Sequence, residues 1–353
     1  MFVDRRGVRV RPVKIAIVGG GFGSKVAVPV YNELAEFEPV AVWSQRPERA
    51  TELAKQAGLP LGTASYDELL SVPGLEAVHI ATPVVTHVPF TVAAAERGLH
   101  VLCEKPLGDN LMGAQRLVAA VGSAGVVGMV DFGVRMKQTR QRLIERVRDV
   151  VGRPRMVSVT LVHSDHAMPD SRPYTWVHDA RLGGGRLQAY GVHDLDLILE
   201  MFPDVEAVAA ACDVGVPIRA DENGQLRDVT AEDTYAVLLR FSGGGLGVVT
   251  LVSAAHHKRG EVIEIHGDAG SVRLDSERRL WWARSGEELQ SEGPLEASSP
   301  AAFALVARKF AAAIRQGEAP DPSLEEGLRV QALFDAIRTA DVERRWVCPK
   351  PIL

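Results

Sequence analysis

Cysteine is scarce: three in 353 residues, at positions 103, 212 and 348. They are far apart and show no metal-ligand spacing, so neither a disulfide framework nor a cysteine metal site organises the chain. This sparse, odd count suits a reducing cytoplasm. No excess of positive charge exists either. Lys and Arg total 40 against 45 Asp and Glu, a net charge of -5. With no basic tract, this argues against nucleic acid as the main partner. Long apolar runs are missing, and none reaches the length of a membrane span. The stretch from Met1 to Pro12 is basic but has no apolar core of signal-peptide length, so it reads as a short unstructured leader. No internal repeat or low-complexity tract stands out.

What is present is globular: 46% hydrophobic and 24% charged residues, in a chain long enough for two domains. Val13–Val18 is a compact run rich in β-branched residues. It leads directly into Gly19-Gly20-Gly21-Phe22-Gly23-Ser24, and a helical pattern follows through Val26 to Leu34. Strand, glycine turn and helix form the context of a dinucleotide fingerprint. Gly19 allows a tight turn, and Gly21 lets the backbone approach a pyrophosphate at the helix N-terminus. The third fingerprint position carries Ser24 instead of glycine.

A second strand, Val40–Trp43, ends at Ser44-Gln45-Arg46. An NAD enzyme usually carries an acid here for the ribose 2′-hydroxyl. Ser44 takes that place and Arg46 follows. Without the carboxylate a 2′-phosphate is not repelled, and a guanidinium binds phosphate bidentately. The expected cofactor is therefore NADP, with NAD left open.

Strands and helices continue to alternate. Helical patterns cover 48–57, 66–70, 86–97 and 111–121; buried strands cover 77–81, 98–101 and 126–130. This predicts a doubly wound parallel sheet in residues 1–130. Past Asp131 the order changes. Helices are expected at 138–150 and after Gly183-Gly184-Gly185, then successive strands at 205–212, 234–241, 247–253, 262–265 and 271–274. That run without intervening helices predicts a largely antiparallel open sheet packed on helices in residues 131–353. Two C-terminal helices are expected at 303–315 and 324–342. The loop His256-His257-Lys258-Arg259 lacks further ligands at suitable spacing, so no metal site is assigned.

Several segments in this order resemble the Gfo/Idh/MocA family of NAD(P)-dependent oxidoreductases. They are the glycine turn, Ala81-Thr82-Pro83 with His87, Cys103-Glu104-Lys105-Pro106, and Gly191-Val192-His193. The likeness spans about residues 13 to 348. It implies a Rossmann domain, a substrate-binding and oligomerisation domain, and C-terminal helices packing back across the first. By the resemblance Phe22, Gly23, Thr82, Pro83, His87, Glu104 and Lys105 join Gly19, Gly21, Ser24, Ser44 and Arg46 at the cofactor. Lys105 is expected beside the nicotinamide and the reacting oxygen, with a cis bond to Pro106. His193 is expected to exchange the substrate proton, a role its near-neutral pKa suits.

The implied substrate is a small polyhydroxylated molecule: a sugar, sugar derivative or cyclitol. The implied assembly is a cytoplasmic homodimer or homotetramer. One departure matters. The family often has an Asp four residues before the histidine, and this chain has Ala189. Asp196 matches another family position, Asp194 should point elsewhere, and Tyr190 lies beside the substitution. Two alternatives stay open: a nucleotide-binding regulator or scaffold with little catalysis, and an enzyme reducing a C=N bond.

Overall fold

The computed structural model describes residues 2–3 and 9–352. Residues 1 and 4–8 of the expected leader lie outside the described residues. The remainder departs from the unstructured expectation, because Phe2–Val3 and Arg9–Val10 pair antiparallel. By contact the chain divides into two units. Residues 1–136 and 298–328 form the first, and residues 137–297 and 329–353 the second.

The first unit is built on six parallel strands: β1 Val13–Val18, β2 Phe37–Trp43, β3 Leu61–Thr63, β4 Ala77–Ile80, β5 His100–Glu104 and β6 Gly128–Asp131. Their order is β3-β2-β1-β4-β5-β6. The order reverses direction at β1, which makes the C-terminal edge beside it the natural ligand crevice. The β-branched and aliphatic residues of β1 are buried except for Lys14. Such near-continuous burial is what a strand covered on both faces requires. Helices α1 Val28–Glu33, α2 Pro47–Ala57, α3 Tyr66–Leu70, α4 His87–Ala95 and α5 Leu111–Ala124 connect the strands. Caps place several ends: Ser65 accepts from the Glu68 N–H at the start of α3, and Asn110 accepts from the Gly113 N–H at the start of α5. Gly58 and Gly125 close α2 and α5 in the left-handed conformation, as helix C-termini favour.

A helix distant in sequence completes this core. Helix α8, Ser299–Gln316, seats Phe303, Val306, Ala307 and Phe310 against β1 and α1. Arg315 at its end pairs with Glu76 at 2.8 Å, and Glu76 also accepts from the Lys14 N–H.

The second unit contains α6 Gln138–Val150, α7 Val192–Met201 and an eight-stranded sheet. Its strands are β7 Pro154–Val162, β8 Val205–Asp213, β9 Thr234–Phe241, β10 Leu246–Val252, β11 Gly260–Gly267, β12 Gly270–Leu274, β13 Leu280–Arg284 and β14 Gln290–Glu292. The order is β8-β9-β10-β7-β11-β12-β13-β14. Only β10 with β7 is a parallel pair. The alternation in β9, with Tyr235, Val237, Leu239 and Phe241 buried between exposed neighbours, marks a one-sided sheet. Strands β13 and β14, and a small hairpin of Ile218–Ala220 with Leu226–Asp228, were not expected from the sequence. They are short, and two of them carry mostly polar residues. Helix α9, Leu324–Glu343, contains the boundary between the units. Among the described residues no helix is long and apolar enough to cross a membrane.

Candidate active site

In the first unit the glycine turn leaves β1 and presses on the loop after β4. Gly19 has φ +134°, and a Cβ there would sit 2.1 Å from the Ala81 carbonyl oxygen. Only glycine combines that backbone with that approach. Gly23 is packed on Ile17, where a Cβ would lie 2.8 Å from Cγ2. Gly21 differs from both. It is exposed, and a Cβ would meet nothing within 4 Å. The turn therefore keeps a bare, open backbone at its tip and is locked at its root. It opens into a helical segment whose first turn, Gly23–Ala27, is π-wound. The donors of that first turn are the ones a pyrophosphate would use, so the residues present fit a dinucleotide.

Ser24 spends its hydroxyl on the Gly20 carbonyl, 2.7 Å away. Phe22 is partly exposed, and its ring meets Phe303 edge-on. Ser44 is buried beside Gly20 at the end of β2. Arg46 stands exposed at the N-cap of α2, with no side-chain cap bond. Thr82 is buried after β4, and the Thr86 hydroxyl lies 2.6 Å from both its Oγ1 and the Pro83 carbonyl. His87 is wholly buried, its ring nitrogens 2.8 Å from the Pro106 carbonyl and 2.9 Å from the Thr82 carbonyl. The single N–H of a neutral ring serves one of them at a time. His87 thus ties the loop after β4 to the loop after β5.

Lys105 follows β5 directly, and its bond to Pro106 is cis. Beneath it lies a group that sequence reasoning did not assemble. His79 of β4, Glu104 of β5 and Asp131 of β6 place an imidazole nitrogen and two carboxyl oxygens within 4.8 Å of one another. The Asp131 Oδ1 accepts from the Gly133 N–H, and Glu104 accepts from the Lys105 N–H. His79 stacks on Phe303 and is held to a pKa of about 3 by burial. Its Nε2 is 3.9 Å from Asp131, and among the described residues neither ring nitrogen has a hydrogen-bond partner.

Burial raises both carboxyl pKa values, and Glu104 pushes Asp131 further up. Burial also lowers Lys105, while the two acids oppose that fall. Two acids beside one ammonium are best neutralised when they hold one proton between them. The adjacent ammonium makes a metal ion a poor occupant. The signal for this group was present in part, since His79 and Asp131 are polar residues on fully buried strands. Their convergence was not visible, because they lie 52 positions apart in the chain.

In the second unit the approach to α7 is shaped by glycines. Gly185, φ +120°, lets the Glu232 carboxylate close in, where a Cβ would lie 2.1 Å from its oxygen. Glu232 then accepts from the Leu187 N–H at 3.0 Å. A π-wound turn, Leu187–Gly191, carries Ala189 and Tyr190 into α7. His193 is the second residue of α7 and is half-buried. Asp194 turns away from it to Arg140, 3.1 Å off, and Arg140 also holds Glu261 at 2.6 Å. Burial and the nearby Glu261 push the Asp194 carboxyl up to about 7. Asp196 is buried on the same helix. His256, His257, Lys258 and Arg259 are exposed.

Comparison with known proteins gives the family and the fold. Residues 13–132 match a family described as an oxidoreductase family with an NAD-binding Rossmann fold. Residues 144–348 match its C-terminal alpha/beta domain. An uncharacterised oxidoreductase of Synechocystis is 28% identical over 94% of this chain and 95% of its own length. Levoglucosan dehydrogenase of Pseudarthrobacter phenanthrenivorans is 26% identical over 95% of this chain and 97% of its own. A solved structure of a levoglucosan dehydrogenase with NADH and L-sorbose superimposes with a TM-score of 0.86 at 25% identity, covering 96% of this chain and 99% of that one.

Proposed function

This chain belongs to the Gfo/Idh/MocA family of oxidoreductases, and from that premise we propose that it interconverts an alcohol and a carbonyl on a sugar, sugar derivative or cyclitol. The observation that carries the reading is the shared edge of one parallel sheet. The bare glycine turn after β1 and Lys105 after β5 leave at the same, C-terminal end of strands separated only by β4. Relatives support the substrate class. They include the levoglucosan dehydrogenase and a myo-inositol 2-dehydrogenase of Thermotoga maritima, 28% identical over 75% of this chain.

The cofactor is a nicotinamide dinucleotide, which when bound supplies or accepts the hydride. Gly19, Gly21, Phe22, Gly23 and Ser24 cradle its pyrophosphate, and Thr82, Pro83, His87 and Glu104 line or brace its further course. Ser44 and Arg46 take the adenosine ribose. The absence of an acid there and the exposed Arg46 guanidinium support a preference for NADP over NAD.

Lys105 donates a hydrogen bond to the reacting oxygen and stabilises the negative charge that develops on it. The Glu104–Asp131 pair beneath keeps the ammonium from paying its full desolvation cost. His193 accepts or returns the substrate proton. With Ala189 at the position where relatives often carry an Asp, more of this proton traffic falls on Lys105 and His193. The first domain holds the dinucleotide and the second the substrate, in a cytoplasmic homo-oligomer.

The test is a Lys105→Ala variant assayed with NADPH and a panel of keto-sugars. It should lose turnover by about 10²-fold or more, the usual size of such an oxygen contact. Full turnover would rule Lys105 out. A second reading, a dinucleotide-binding regulator, is favoured only by Ala189. Cofactor binding with no turnover on any polyol or keto-sugar would select it.

A further inference from the structure

Outside the residues assigned above, the second unit gathers several basic side chains around one carboxylate. Asp165, in the loop after β7, faces two guanidiniums and two imidazoles. Its Oδ2 is 3.3 Å from Arg172, 3.8 Å from Arg186 and 3.8 Å from His166, and its Oδ1 is 3.9 Å from His163. All four distances exceed the about 2.7–2.9 Å of a charge-assisted hydrogen bond. One carboxylate thus sits among four groups and bonds closely to none.

Arg186 is the member with most at stake. It is only 6% exposed, and its Nη2 has no hydrogen-bond partner among the described residues. Its guanidinium lies 5.3 Å from the Tyr190 ring centroid, on the turn that leads into the His193 helix. A buried guanidinium with an unspent donor costs stability unless something uses it.

Among the described residues, the other charged groups near it are already engaged. Arg219, wholly buried nearby, is spent on the main-chain carbonyls of His166, Met168 and Arg172. Asp233 is occupied by the N–H groups of Gly215 and Val216. His166 and His178 are kept neutral by burial and the neighbouring arginines, at about 3 and about 4. The cluster is reachable from solvent, since the Arg172 side chain is 57% exposed and those of His163 and Asp165 about a quarter.

We propose that this cluster is an anion subsite of the substrate-binding unit, where Arg186 and Arg172 hold the carboxylate of a sugar acid in competition with the chain's own Asp165. The inference rests on the sugar-oxidoreductase reading and narrows its substrate to an acidic sugar. A ligand carboxylate presents the same two oxygens as Asp165. Free of Asp165's backbone tether, it can reach the fork geometry that the tethered side chain does not. Asp165 keeps the cluster from being bare in the absence of substrate.

The experiment is calorimetric titration of the full chain, saturated with NADPH, using D-glucuronate, D-glucose and glucose 6-phosphate. Glucuronate should bind about 10-fold or more tighter than glucose, about 1.4 kcal/mol. Arg186→Gln should erase that preference. Because a buried arginine variant can fail to fold, Asp165→Asn is the second arm. Removing the internal competitor should raise the glucuronate preference over glucose further, a gain that misfolding cannot produce. Equal or tighter binding of glucose, or an Asp165→Asn variant with a lower glucuronate preference, overturns the proposal. Tighter binding of glucose 6-phosphate than of glucuronate overturns the carboxylate assignment. Turnover of neutral sugars alone sinks the subsite and spares the oxidoreductase reading. Arg186-dependent glucuronate binding without turnover of any sugar does the reverse.

Discussion

Two glycines in one turn separate folding from cofactor binding. Gly19→Ala places a Cβ 2.1 Å from the Ala81 carbonyl oxygen on a residue with φ +134°. The forbidden backbone costs about 1–3 kcal/mol. Forcing β1's turn away from the loop after β4 costs about 1–3 kcal/mol more. The sum, about 2–6 kcal/mol, is a large share of the about 5–15 kcal/mol that holds a typical domain together. Gly21→Ala is the opposite case. Its Cβ meets nothing within 4 Å and its φ is not positive. Folding should be unchanged, or improved by about 0.4–1 kcal/mol through the lower entropy of the unfolded chain. The added methyl would nonetheless stand where the pyrophosphate approaches, and cofactor affinity should fall about 10-fold or more, about 1.4 kcal/mol. Urea unfolding followed by circular dichroism reads the first effect, and fluorescence titration with NADPH reads the second. A Gly21→Ala variant that binds NADPH as tightly as the parent would refute the cradle. A Gly19→Ala variant as stable as the parent would refute the steric argument.

Arg46→Ala should weaken NADPH binding by about 10-fold, the size of a surface phosphate contact, and leave NADH nearly unchanged; parallel losses for both cofactors would show that Arg46 does not read the 2′-phosphate. His79 gives a pH signature. Its folded pKa of about 3 lies below the unfolded value of about 6.5, so between these values the unfolded chain binds a proton that the native one does not. Stability from this group is present above pH 6.5 and lost on acidification, with a slope up to about 1.4 kcal/mol per pH unit. Asp131 and Glu104, with raised values, act in the other sense. The comparison is therefore parent against His79→Phe, whose stability difference should shift with pH below 6.5; a flat difference means that His79 is already charged in the folded state. Phe310→Ala, at a fully buried site of the first core, should cost about 3–5 kcal/mol in urea unfolding, and a loss below about 1 kcal/mol would show that α8 is not part of that core.

Most of the parallel sheet was legible because its strands are short, mainly aliphatic blocks separated by helical patterns; the edge strand Leu61–Thr63 was not read. Covered strands need mainly apolar side chains, and that need is written locally at 13–18, 77–80 and 100–103, with Lys14, His79 and His100 as the polar exceptions. The edge strands β13 and β14 were not legible. Gln290–Glu292 carries three polar residues, and its strand geometry comes from pairing with Leu280–Trp282. Helix α8 was readable as a helix, but its place was not. Its Phe303 and Phe310 find their partners near residues 15–31, and a periodic pattern records which face is apolar without recording what it meets.

The candidate site divides in the same way. The glycine turn, Lys105 and His193 follow from residues close together in the chain, because a turn's backbone and a strand's end are local properties. What supports them is not local. His79, Glu104 and Asp131 meet only because β4, β5 and β6 are neighbours in the sheet, and Arg186 meets Asp165 only once the loop after β7 comes near the turn before α7. The sequence by itself determined most of the strand–turn–helix units, a lysine just past the end of one strand and a histidine within a helix. Only the tertiary structure decided which charges those groups share, since Coulomb energy and desolvation depend on distances and burial that no stretch of sequence contains.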